Sequence, residues 1–179
     1  MRTNSYTNAQ QRQRGAALVV ALIMLLVMTV LGITAMQMTR MEERMAGNSR
    51  DLNLAFQGAE AGLRDSEARL AALTSRPAAC STAPCTVWRI GSWPSDLRDE
   101  LRAWWLANGT EYGVDAVAEV TEVTRDPRVI TESLGFVPDS LTIGHGPPEG
   151  RDFYKITANS SGASDTATAV LESTYTRRF

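Results

Sequence analysis

Histidine is nearly absent from the 179 residues: His145 stands alone, between Gly144 and Gly146. One histidine cannot supply both a His-based catalytic triad and a metal ligand, and no serine sits in a nucleophile elbow. Cysteine is almost as scarce. Cys80 and Cys85 are separated by four residues, a spacing that suits neither a CxxC redox motif nor a zinc half-site. No glycine-rich phosphate loop occurs. The acidic neighbours Glu42-Glu43 and Asp99-Glu100 would point about 100° apart on a helix, so they do not form an acid/base pair. Enzymatic, metal-binding and cofactor-dependent functions therefore have no residues to rest on, and no cofactor is expected.

A basic stripe is also missing. Arg2, Arg12 and Arg14 lie in the first fourteen residues, which hold no acid; the remaining 15 basic residues stand against 20 acids, a net of about −5. An acidic body without a basic face excludes nucleic acid as a natural partner.

The most informative absence is of charge between Ala16 and Met36. These 21 residues include eleven Leu, Ile or Val. At about 1.5 Å per residue they span the ~30 Å hydrocarbon core of a bilayer. Arg12 and Arg14 precede the run, so the positive-inside rule keeps the N-terminus cytoplasmic and sends the rest of the chain across the membrane. A secretory signal peptide would have an apolar region of roughly 7–15 residues and a small-residue cleavage box. This run is longer, and Gln37-Met38-Thr39-Arg40 offers no such box.

Beyond Met36 the pattern becomes amphipathic. Met38, Met41, Met45, Leu52, Phe56, Ala59, Leu63, Leu70 and Leu73 recur at helical steps, with Arg40, Glu43, Arg44, Asp51, Arg64, Asp65 and Glu67 on the opposite face. One helix is predicted from about Ala16 to Leu73, stopped by Thr74-Ser75-Arg76-Pro77. Gly58 and Gly62, four apart, either relieve crowding or admit another backbone at close range. The chain then divides into a leader (1–15), a membrane-spanning half-helix (16–36), an amphipathic half-helix (37–74) and a head (75–179).

Within the head, residues 77–94 read as loop. Cys80 and Cys85 form either a small disulfide loop or two separate thiols; the topology places them in an oxidising compartment, which favours the bond. A short helix is expected from Ser95 or Asp96 to Ala107, burying Leu97, Leu101, Trp104 and Trp105 and ending at Asn108-Gly109. Alternation from Val114 to Thr121 predicts a strand, and another is expected at Arg128 to Glu132. A hairpin follows, with arms Phe153–Ala158 and Ala167–Tyr175. Three to four antiparallel strands packed on a helix give an α+β roll.

Two features carry a family resemblance. A polar, arginine-bearing leader ends in Gly15 at the start of the apolar helix, and the run Met41-Glu42-Glu43-Arg44-Met45-Ala46-Gly47-Asn48, continuing as Arg50-Asp51-Leu52-Asn53-Leu54-Ala55-Phe56-Gln57-Gly58-Ala59-Glu60-Ala61, follows it. These residues resemble the N-terminal region of PilX-type minor pilins of the type IV pilus. Leu134–Leu141, Gly144–Pro147, Phe153–Thr157 and Leu171–Tyr175 are similar to the family's C-terminal regions.

The resemblance implies a pilin-like fold: a long helix, membrane-spanning in its first half, packed on a small antiparallel sheet. It implies cleavage by prepilin peptidase between Gly15 and Ala16 and N-methylation of Ala16. It also implies storage in the bacterial inner membrane with a periplasmic head, then assembly into the filament with other minor pilins, the major pilin and a tip adhesin. Most pilins carry glutamate at the fifth mature position, which here is Val20. Either Val20 marks a tip or initiating subunit, with no neighbour ahead to pair a carboxylate, or the position has drifted. A tip pseudopilin of a type II secretion system shares the missing glutamate but carries a larger inserted domain. A plain single-pass anchor with a periplasmic binding domain would keep residues 1–15.

Overall fold

The structure, a computed structural model, describes residues 10–93, 96–113, 120–139 and 149–179, the first five of these by backbone only. It falls into two units divided between Gly47 and Asn48.

The first unit is helix alone. Helix α1 (Gln10–Ala72) begins in it, and Leu18, Val19, Val20, Leu22, Ile23 and their apolar neighbours are all exposed. Two threonines interrupt the apolar run without leaving a hydroxyl unpaired. The Thr29 hydroxyl donates to Leu26 O at 2.8 Å, and the Thr34 hydroxyl to Leu31 O at 2.9 Å. A segment surrounded by hydrocarbon must satisfy its polar groups within itself, and these return bonds do so.

The second unit is the remainder of α1, a sheet and a second helical layer. Its elements are β1 (Trp88–Arg89), α2 (Arg102–Asn108), β2 (Thr110–Glu111), β3 (Arg128–Pro138), β4 (Gly150–Ser161) and β5 (Thr168–Arg177). The sheet order is β1-β3-β4-β5, with β2 also against β3. β3, β4 and β5 are antiparallel neighbours, as the hairpin pattern predicts. The sheet as a whole is mixed rather than antiparallel, because β1 runs parallel to β3 through Trp88↔Glu132 and Arg89↔Ser133. A two-residue strand inside a loop-rich stretch has no period to read, which is why residues 77–94 look like loop in the sequence.

Strand alternation gives the sheet two buried faces. Val129, Tyr154, Ile156 and Ala158 meet Ala59, Leu63 and Leu70 of α1. Ile130 on the reverse face meets Trp88, Leu97 and Trp105. The helix stripe that does the packing is Ala55, Gly58, Ala59, Gly62, Leu63, Ser66 and Leu70, all buried. Leu52 and Phe56, expected on that face, are 54% and 49% exposed. Small residues, not the largest apolar ones, mark where helix and sheet approach. A Cβ on Gly62 would lie 3.0 Å from Val129 Cγ2 and 3.2 Å from Pro127 Cβ, so the glycine pair serves close approach rather than relief of crowding. At the end of α1 the Arg177 guanidinium donates to Leu70 O, which also accepts from Leu73 N at 3.3 Å, and to Leu73 O just beyond the helix.

The predicted short helix is broken in two. A 3₁₀ turn over Leu97–Asp99 is capped by Asp96, whose carboxylate accepts from Arg98 N at 3.0 Å. Glu100 and Leu101 are both extended before α2 begins. The break resets the helical phase, so Leu97 and Trp105 are buried while Leu101 is 78% exposed, against expectation. Of the strand expected at Val114 to Thr121, residues 114–119 lie outside the described residues, and Val120 and Thr121 are loop and turn.

Candidate functional site

The residues that the sequence singles out occupy separate places. Gly15, Ala16 and Val20 lie on α1 in the first unit, all exposed. A Cβ on Gly15 would meet nothing within 4 Å. Val20 is 56% exposed, one of a continuous run of uncharged side chains.

Cys80 and Cys85 lie in the head and are joined in a disulfide, with Cα atoms 6.0 Å apart. The loop they close is tied to the sheet: Cys80 N donates to Val87 O at 3.1 Å, and Arg89 N donates to Cys80 O at 2.9 Å. Cys85 borders the tryptophan layer. In that layer Trp88 and Trp93 are 4.3 Å apart by ring centroid, Trp93 and Trp104 5.1 Å, and Trp104 and Trp105 5.6 Å, each pair edge to face. Sequence spacing assigned Trp104 and Trp105 to the core. The structure adds Trp88 and Trp93, which belong to β1 and its following turn and had no period to reveal them.

Charges fix the layers to each other. Asp51 on α1 holds the β4–β5 turn, accepting from Ser164 N at 3.1 Å and from the Ser164 hydroxyl. The Ser164 hydroxyl is the main cause that holds the Asp51 carboxyl below its usual range. Sequence reading placed Asp51 on the solvated face, because its partner is 113 residues away. Glu132, 3% exposed, pairs with Lys155 at 2.7 Å across β3 and β4. Asp152, equally buried, pairs with Arg76 at 2.9 Å. Beside Asp152, burial pushes the Tyr154 phenol up.

Between the end of α1 and the β1–β3 side of the sheet lies a cavity of about 340 Å³ lined by Ser66, Arg69, Leu73, Val87, Val129 and Thr131 among others. It is walled mainly by aliphatic groups and hydroxyls, and contains no nucleophile–base pair. Among the described residues no group of three or more His, Cys, Asp or Glu is placed to hold a metal ion. His145 lies outside the described residues. Helix α1 is long and apolar enough to cross a membrane.

Two family models match the chain. One described as PilX N-terminal matches residues 14–64, and one described as type IV pilus assembly protein PilX C-term matches residues 57–177. No curated protein and no solved structure matches.

Proposed function

The chain belongs to the PilX family of type IV pilus assembly proteins, and from that premise we propose that it is a minor pilin of the tip or priming complex. The observation that carries the position is Val20. A carboxylate inside the apolar run needs a partner in hydrocarbon, and a subunit with neighbours ahead of it has one. An initiating subunit has none, and valine avoids the cost of burying an unpaired charge.

The roles follow from position along the chain. Prepilin peptidase cuts between Gly15 and Ala16 on the cytoplasmic side of the inner membrane, and the new amine of Ala16 is methylated. The uncharged helix anchors the subunit until assembly and then packs in the filament. The head, periplasmic until then and held by the Cys80–Cys85 bond, contacts other minor pilins, the major pilin and a tip adhesin. The family's members are structural assembly proteins.

The test is intact mass and N-terminal sequence of the protein from membranes of cells containing prepilin peptidase, followed by pilus counts. A start at Ala16, lost on Gly15 substitution, is expected. Val20→Glu should leave cleavage intact and reduce the number of pili initiated. A start at Met1 or beyond Met36 would overturn the pilin role; unchanged pilus number in Val20→Glu would overturn the tip position alone.

A further inference from the structure

The two edges of the sheet are finished differently. On the β3 side β2 and β1 occupy Arg128, Val129, Glu132 and Ser133, and the β3–β4 register then shifts between Ser133 and Gly135, whose φ is +112°. Such a shift bends a strand away from further pairing. On the other side β5 pairs with β4 without a shift from Asp152↔Arg177 to Ser161↔Thr168, and among the described residues no strand lies beyond it. Its ten residues include no proline, glycine or lysine. Proline and lysine are two of the devices that blunt an exposed edge; the charges β5 does carry are Glu172 and, at its end, Arg177.

The turn fixes which groups that edge offers. Gly162 N donates to Ala167 O at 2.9 Å, continuing the β4–β5 register. The ladder bonds to β4 therefore fall to Ala169, Leu171, Ser173 and Tyr175, and the amides and carbonyls of Thr168, Val170, Glu172, Thr174 and Thr176 point outward.

A flank of α1 borders the same edge. The Ser173 hydroxyl donates to Glu67 at 3.0 Å, so the helix stripe through Glu67 runs along β5. Leu63 and Phe56 lie one and three turns back on that stripe. Leu63 is buried, whereas Phe56 is 49% exposed, and Ala169, Leu171 and Tyr175 are only partly covered. Open backbone and an apolar wall on the α1 side, with the Glu172 carboxylate on the opposite face of the sheet, leave a place for one more strand.

We propose that the β5 edge receives an extended strand from a neighbouring subunit of another sequence, with apolar side chains turned toward Phe56 and Leu171 and a basic residue opposite Glu172. Pairing of β5 with a second copy of itself is disfavoured, because full antiparallel overlap brings two Glu172 carboxylates together at the centre of the ladder. The inference goes beyond the filament position and stands whether or not the subunit is at the tip.

The test uses the full chain in detergent micelles and a synthetic ten-residue peptide alternating valine and threonine, with one threonine replaced by lysine. A second peptide carries N-methyl groups on the amides that face β5. Amide exchange at Val170, Glu172 and Thr174 should slow at least tenfold with the first peptide and not with the second. Thr174→Ala should respond like the parent, and Thr174→Pro, which removes an outward N–H, should not. Equal exchange with and without the first peptide overturns the proposal, as does equal protection by the methylated one. Slow exchange before any peptide is added also overturns it, since the edge is then already covered. If Thr174→Pro loses its near-ultraviolet tryptophan signal, the comparison of peptides on the parent protein decides.

Discussion

Gly58 and Ser160 stand so close that a Cβ on the glycine would lie 2.3 Å from the serine hydroxyl oxygen and 3.2 Å from its Cβ. The hydroxyl can rotate aside, and alanine gains about 1 kcal/mol of helix propensity over glycine. Gly58→Ala is therefore expected to change stability little. Gly62 faces Val129 and Pro127, which cannot rotate away. Gly62→Val should cost about 1–3 kcal/mol through overpacking, measured by urea unfolding of both variants.

Lys155 is the partner of a carboxylate that is almost wholly enclosed. Lys155→Met leaves Glu132 buried without a counter-charge, and a loss of about 3–5 kcal/mol is expected. Adding Glu132→Leu to that variant should recover most of the loss. A double variant as unstable as the single one would mean that Lys155 acts through its packing and not its charge.

The contact between Asp51 and Ser164 sets a dependence on pH. The folded state holds the Asp51 carboxyl below its usual range. Its contribution is thus fully present above the carboxylate range of the unfolded chain and is lost as pH falls through the lower folded value. Asp51→Ala should melt several degrees below the parent at pH 7. The gap should close as pH falls below about 4. A gap independent of pH would assign the effect to helix propensity or packing.

The bond between Cys80 and Cys85 closes a short loop, worth about 2 kcal/mol by its effect on the unfolded chain. Cys80→Ser should lower stability by that amount. It should also alter the near-ultraviolet signal of the tryptophan layer that Cys85 borders. A variant with the parent's stability would show that the loop is held by the backbone bonds of Cys80 alone.

The legible parts of this fold are those with a period. Helix α1 was readable in its apolar run and amphipathic continuation, and β4 and β5 in their alternation about a turn at Gly162. The rest is hidden for physical reasons. Leu52 and Phe56 have the spacing of the buried stripe yet lie outside it, because the closest approach is made by glycine and alanine, which contribute little hydrophobicity. Leu101 is exposed because two extended residues reset the helix phase. β1 and its tryptophans carry no pattern, because a strand of two residues has no period. Asp51 looked like surface because nothing near it in sequence reveals Ser164. The Gly15–Ala16 junction is a change of composition and not a contact, so no packing in the fold bears on it.

The bonds that hold α1 to the head join Asp51 to Ser164, Glu67 to Ser173 and Leu70 to Arg177, over more than a hundred residues in each case. Contacts of such high order form late, after the loop entropy of the intervening chain has been overcome. During synthesis the glycine-lined stripe of α1, which packs on Val129 of β3 and on Ala158 and Ser160 of β4, must therefore remain uncovered until those two strands have emerged. For that interval the helix presents to its surroundings the same surface by which it later grips its own sheet. A chain halted before residue 128 would stay in that state and offer the stripe to chaperones, proteases or another subunit.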